Sequence, residues 1–244
     1  MVIDMTKPII QLENISFAFP GRQPILNGLD LTLNWGDRAG LIAPNGSGKT
    51  TLFHLVMGLI KPTSGIIRIF GKRILAEKDF RVVRRRIGLL FQDSDDQLFS
   101  PTVLDDVAFG PLNLGKNKEE AIAIAEETLT SLNLTDIRNR ITFKLSGGEK
   151  RLVALATVLA MKPDALLLDE PVTGLDRDTR HRIESILREL DISYIMISHN
   201  MDFLSQLTTR IFSLENGKIT VDDTAALHPH FHLHSHGTHP HEHK

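Results

Sequence analysis

Apolar and polar residues alternate from Ile9 to Phe19 and again from Ile25 to Leu33, with Pro20, Gly21 and Arg22 between the runs. A period of two marks strands with one buried face, and the Pro-Gly pair marks the turn that joins them. A short apolar run, Arg38–Ala43, predicts a third strand, followed by a Gly-rich turn and a helical run, Thr51–Leu59. Ile87–Phe91 predicts another strand behind the basic triplet Arg84–Arg86. The period then changes. Within Lys116–Leu132, Ile122, Ala125, Leu129 and Leu132 recur at spacings of three and four, which predicts an amphipathic helix. Lys150–Met161 predicts a second, and together they suggest a helical subdomain at about residues 93–160. Behind Pro163 the strand–helix alternation returns. It runs through a strand at Ala165–Asp169, a helix at Arg177–Leu190 with Ile183, Ile186, Leu187 and Leu190 on one face, and a strand at Ser193–Ser198. Ile211–Leu214 and Lys218–Val221 form a hairpin across Glu215-Asn216-Gly217. Strands alternating with helices imply a parallel sheet covered on both faces.

The pattern stops at about residue 222. Residues 223–244 hold His228, His230, His232, His234, His236, His239, His241 and His243, mostly at alternate positions. Pro229, Gly237 and Pro240 oppose a regular helix, so a disordered or weakly ordered tail is expected.

Composition narrows the class. A chain of 244 residues suits one domain with a substantial core. The absence of cysteine excludes disulfides and thiolate metal ligands. A net charge of −2 supplies no general basic field for nucleic acid. No apolar run approaches the roughly 20 residues of a membrane-spanning helix, and Met1–Pro8 carries Asp4 and lacks the apolar stretch of a secretory signal. A role at a membrane would need other chains to hold the protein there.

Three motifs carry candidate chemistry. The first is Pro44-Asn45-Gly46-Ser47-Gly48-Lys49-Thr50-Thr51, between a strand and a helix. The backbone N–H groups of a tight Gly-rich turn surround phosphate, and a helix N-terminus adds a favourable dipole. Lys49 would reach the β/γ-phosphates, and Thr50 would place its hydroxyl on magnesium. Ala43 stands where the strict pattern begins with Gly, a tolerable change if its φ stays negative. The second motif is Leu166-Leu167-Leu168-Asp169-Glu170-Pro171. Ala165–Leu168 would bury a central strand whose C-terminal end, where open parallel sheets bind ligands, presents two carboxylates. Asp169 would hold magnesium, and Glu170 would accept a proton from attacking water. The third is Leu145-Ser146-Gly147-Gly148-Glu149 before a helix. Ser146 would cap that helix, and the glycines admit close approach of an anion.

With this third motif the chain resembles the ABC ATPases, a family of P-loop NTPases with a RecA-like parallel-sheet core, an N-terminal antiparallel sheet and a helical subdomain. The likeness spans roughly residues 9 to 221. It implies an ATP-binding domain over residues 1–222 that binds ATP and magnesium. It also implies that Ser146, Gly147 and Gly148 meet the γ-phosphate held by a second ATP-binding subunit, so that two ATP molecules lie between two subunits. Glu149 stands where Gln is commoner. By the same resemblance Gln92 is the Q-loop glutamine that senses magnesium and water, and Gly174-Leu175-Asp176 is the D-loop that crosses the dimer. His199 is the switch histidine on the γ-phosphate, and Phe19 stacks on adenine. Asn200 follows where Asp is frequent. Taken singly, such a Gln, His or Phe would be an ordinary surface or core residue; their order and strand-end placement give them weight.

The stretch from Gln92 to Gly115 is similar to the ATPase subunits of energy-coupling-factor importers, the cobalt, nickel and vitamin uptake group. That implies a transmembrane coupling subunit, a substrate-binding membrane component and a peripheral place on the cytoplasmic face of the membrane. Phe99, Val103, Phe109 and Leu112 would line a groove for coupling helices, unless they are core. The absence of a coiled-coil insertion or basic extension argues against repair or ribosome roles. Imidazoles suit Ni²⁺, Co²⁺, Zn²⁺ and Cu²⁺. The tail is therefore open to three readings: a receiver or buffer for an imported nickel or cobalt ion, an unselective metal store, or a solvated segment that binds metal incidentally.

Overall fold

A computed structural model describes residues 5–221 and shows two sheets. The N-terminal alternation becomes β1 (Ile10–Phe17) and β2 (Leu26–Leu33), paired antiparallel. β3 (Arg38–Ile42) and α1 (Lys49–Met57) follow, then β4 (Ser64–Ile69) and β5 (Lys72–Arg73). The first sheet has the order β2-β1-β4-β5 and is antiparallel throughout.

The second sheet is built from β3 with β6 (Ile87–Leu90), β7 (Ala165–Asp169), β8 (Ser193–Ile197), β9 (Arg210–Glu215) and β10 (Lys218–Val221). Its order is β10-β9-β3-β8-β7-β6, parallel except for the β9–β10 hairpin. Asn216 and Gly217 both have positive φ, as that two-residue turn requires. The predicted covering of both faces is seen in β7. Ala165 and Leu167 pack with Phe53, Ile195 and Ile197 on one face. Leu166 and Leu168 pack with Leu152, Tyr194 and Met196 on the other. Full burial of each such side chain stabilises by about 1.5–3 kcal/mol. That is why four consecutive apolar residues sit in a strand.

Between β6 and β7 lie α3 (Val103–Asn113), α4 (Lys118–Ser131) and α5 (Gly147–Leu159). α5 joins them to the sheet: a Cβ on Gly88 of β6 would stand 2.2 Å from Val158 Cγ1. Along α4 and its C-cap the predicted Ala125, Leu129 and Leu132 are buried, while at the start of the row Ala121 takes the buried place and Ile122 is half-buried. The sequence reading passed over several elements. α2 (Glu77–Arg86) buries only Phe80 and Val83 and shows as little more than its basic end. Gly110 and Pro111 mask α3, which Thr102 caps by accepting the Asp105 N–H. Val103, expected in a groove, is fully buried in the core. α6 (Arg177–Glu189) matches its prediction, whereas α7 (Met201–Leu207) is too short for periodicity to show.

Tyr194, the one tyrosine of the chain, has no exposed surface, and its hydroxyl donates to the Leu207 carbonyl. Burial pushes its pKa up to about 12, against a weaker lowering effect of the Arg38 guanidinium. The folded state therefore holds this proton more tightly than the unfolded chain, whose tyrosine titrates near ~10. The stability this confers is complete below that lower value and is lost as pH climbs through the higher one. Absorbance at 295 nm should show tyrosinate in the native protein only near pH 12, and Tyr194→Phe should abolish the signal. A native titration close to ~10 would refute this.

Candidate functional site

The C-terminal ends of β3, β6, β7 and β8 lie side by side, with Leu41 opposite Ile197, Asp169 opposite Ile197 and Leu90 opposite Leu168. The segments that leave these ends carry the candidate residues. Behind β3 the chain turns through Ala43–Gly48 into α1. Gly48 has φ 101°, and a Cβ there would lie 2.4 Å from Ile25 Cγ2, so glycine alone fits. Ala43 keeps a negative φ, the condition under which it replaces glycine. Ser47 Oγ is buried without a hydrogen bond among the described residues, and the space above Gly46 is open. This turn fits a phosphate group.

Lys49 Nζ donates to the carbonyls of Ala43 and Pro44 at 2.7 and 3.1 Å and lies 3.4 Å from His199 Nε2. Burial pulls its pKa down, while Glu170 and Asp169 pull it up. Thr50 Oγ1 donates to Asp169 Oδ2 at 2.7 Å. Burial raises the pKa of Asp169, the Thr50 bond lowers it, and neighbouring Glu170 raises it further. A hydroxyl and a carboxylate in contact, with Gln92 on the same cleft, form an oxygen donor set that suits magnesium. When bound, magnesium would neutralise phosphate charge there.

Glu170 leaves β7 with φ 48°, a left-handed conformation that costs a non-glycine residue of order 1–3 kcal/mol. Its Oε2 accepts from Thr173 Oγ1 at 2.7 Å. Its Oε1 is buried, makes no hydrogen bond among the described residues and stands 3.2 Å from His199 Nε2. A fixed carboxylate with one unengaged oxygen beside an imidazole can take a proton from water. Asn200, where Asp is frequent in the family resembled, caps α7 by accepting the Phe203 N–H at 2.9 Å. Asn and Asp serve equally well at that position.

One cleft of about 580 Å³ gathers Phe19, Asn45, Gly46, Gly48, Lys49, Thr50, Thr51, Gln92, Asp169, Glu170 and His199. Phe19 is 38% exposed and held edge-on to Phe17 at 4.9 Å. Ser146 and Gly148 do not line this cleft, and Gly147 lines an adjoining one that shares Thr50, Gln92, Asp169 and Thr173 with it. Ser146 caps α5, accepting the Glu149 N–H at 3.3 Å, while Glu149 Oε2 accepts the Ser146 N–H at 2.8 Å. Arg140 donates to Glu149 Oε1 at 2.5 Å. The Ser146 backbone bond, more than Arg140, keeps that carboxyl below the usual range. Asp176 caps α6, accepting the Thr179 N–H at 2.9 Å, which lowers its pKa.

The sequence model of the ABC transporter family matches residues 26–173. The chain belongs to the ABC transporter family. An energy-coupling factor transporter ATP-binding protein EcfA of Methanothermobacter thermautotrophicus is 42% identical over 88% of this chain and 71% of its own. A cobalt import ATP-binding protein CbiO of Rhodobacter capsulatus is 40% identical over 90% of this chain and 80% of its own. The solved structure of cbiO1 from Clostridium perfringens, part of the ABC transporter complex cbiONQ, superposes with a TM-score of 0.78 at 32% identity, covering 87% of each chain.

This ABC protein is thus an ATP-hydrolysing cassette with the P-loop NTPase fold expected of it. Sequence reasoning missed Thr173, which orients Glu170, because nothing but its place beside the acidic pair distinguishes it. It also missed Arg151, whose signal was a cation directly before the apolar run Leu152–Ala156 of α5. The tail histidines lie outside the described residues.

Proposed function

We propose that this cassette energises a membrane importer of the energy-coupling-factor type for nickel or cobalt ions, working as one of a pair. The observation that carries the pairing is the separation of Ser146 and Gly148 from the phosphate cleft of their own chain. Residues suited to approach an anion but absent from the lining of the local cleft would meet one supplied by a second copy, or a related chain. In this reading Lys49 and the Asn45–Thr51 turn hold the phosphates, Thr50, Asp169 and Gln92 hold magnesium, and Phe19 stacks on adenine. Glu170 accepts the proton of the attacking water, His199 contacts the γ-phosphate, and Asp176 reaches across the dimer.

Among the described residues no helix is long and apolar enough to cross a membrane. A transmembrane coupling subunit would therefore dock on the protein's surface, at the cytoplasmic face. A groove of about 390 Å³ is lined by Leu59, Phe99, Phe109 and Met161. Phe99 is 65% exposed and packs edge-on to Phe109 at 4.7 Å. Leu112 is also exposed but outside that groove. Apolar surface of this kind suits the coupling helices.

Nickel or cobalt is favoured by the histidines from His228 to His243 and by the likeness to a cobalt import protein. The test is the elemental content of source cells lacking the gene, restored with it, or restored as Glu170→Gln, grown in metal-poor medium. Nickel or cobalt alone should fall and return only with the native chain. Unchanged metals with reduced uptake of a vitamin would replace the ion by that solute and leave the tail a metal buffer.

A further inference from the structure

The segment carrying Gln92 leaves β6, yet it is fastened to α5, the helix headed by Ser146–Gly148. Arg151, just over one turn into α5 and 5% exposed, donates from Nη1 to the Phe91 carbonyl at 2.6 Å and from Nη2 to the carbonyl of Gln92 itself. Gln97 donates to the Ala154 carbonyl and to Thr157 Oγ1, both at 2.8 Å, while its Oε1 accepts the Phe91 N–H at 3.1 Å. Lys150 reaches Asp95 at 2.5 Å. Residues 91–97 are thus tied to α5 at several points.

Arg151 is a costly way to make such a joint. Burying a cation without an ion-pair partner is unfavourable, and a neutral donor could anchor a carbonyl more cheaply. No carboxylate pairs with Arg151 among the described residues, and its Nε has no acceptor there. Burial draws its pKa down, opposed by Asp93, Asp169 and Glu170 in turn. Arg151 lines one cleft with Gln92, Gly147 and Asp169.

We infer that Arg151 is a positioning residue for Gln92: it binds the Gln92 backbone to the signature helix, so that docking of Ser146–Gly148 on a partner's nucleotide sets Gln92 against the magnesium side of the site. This rests on the reading that the signature acts across a dimer. A residue that only stabilised α5 would not produce the coupling described next.

The test is a double-mutant cycle of Arg151→Met with Gln92→Ala. Arg151→Met should lower kcat by about tenfold or more with KM for ATP nearly unchanged. It should also weaken the gain in nucleotide affinity that magnesium brings in a binding titration. The double variant should be no worse than Gln92→Ala alone, and Arg151→Lys should restore much of the loss. Multiplying losses, or a magnesium effect equal to that of the native chain, would overturn the inference. If Arg151→Met gives no cooperative thermal transition, the cycle is run with Arg151→Gln, whose shorter neutral amide cannot span both carbonyls and should still couple to Gln92. Dimer formation is read separately by ATP-dependent size exclusion of Glu170→Gln. A persistent monomer there would sink the trans-acting signature, while the cycle alone decides the bond between Arg151 and Gln92.

Discussion

Glu170→Gln should lower ATP turnover by about 10²–10⁴-fold, the contribution of a positioned general base. ATP binding should survive, so ATP-bound dimers should accumulate. The amide has the shape of the carboxylate, and its oxygen still accepts from Thr173 Oγ1. What it lacks is an oxygen able to take a proton in place of Oε1, the buried atom beside His199. The strained backbone at φ 48° is unchanged by this substitution, so folding should be unaffected. Turnover within a few-fold of the native rate would show that another group is the base.

Lys49→Ala should reduce ATP affinity by about a hundredfold or more, equivalent to roughly 2.7 kcal/mol. The ammonium sits at the mouth of the Gly-rich turn, with two carbonyls as its nearest acceptors among the described residues, ready to exchange them for phosphate oxygens. Charge-assisted hydrogen bonds of this kind are worth about 1.5–3 kcal/mol each. Thermal stability should barely change. Burial already disfavours this charge, as its lowered pKa shows, so the folded state loses little when it goes. Isothermal titration with and without magnesium checks the first point and a melting curve the second. Native affinity in a folded variant would mean that the phosphates lie elsewhere.

The sites were more legible than some of the helices around them. Phosphate loops and acidic strand ends are fixed by local backbone chemistry, so Gly46, Gly48 and Lys49 announce themselves in order. Helices such as α2 and α3 bury few residues or carry helix-breaking types, Gly110 and Pro111, and their signal is tertiary packing. Val103 shows the limit on the surface: an apolar residue near Phe99 and Phe109 reads alike whether exposed or in the core. Likewise a lysine or arginine in α5 gives no hint of its acceptors.

The sequence alone carried the class of chemistry, because strand–turn–helix spacing and the residue types at its ends mark an ATP-binding cassette. It also determined the buried parallel strands, since four apolar residues in a row can be covered only on two faces. Only the tertiary structure decided which oxygen of Glu170 is free, what Lys49 touches and which helix carries Gln92. It alone showed that Ser146 and Gly148 do not line the cleft of their own chain. Arg151 meets Gln92 across 59 positions and Lys49 lies beside His199 across 150, whereas the periodicity of a chain records only its neighbours.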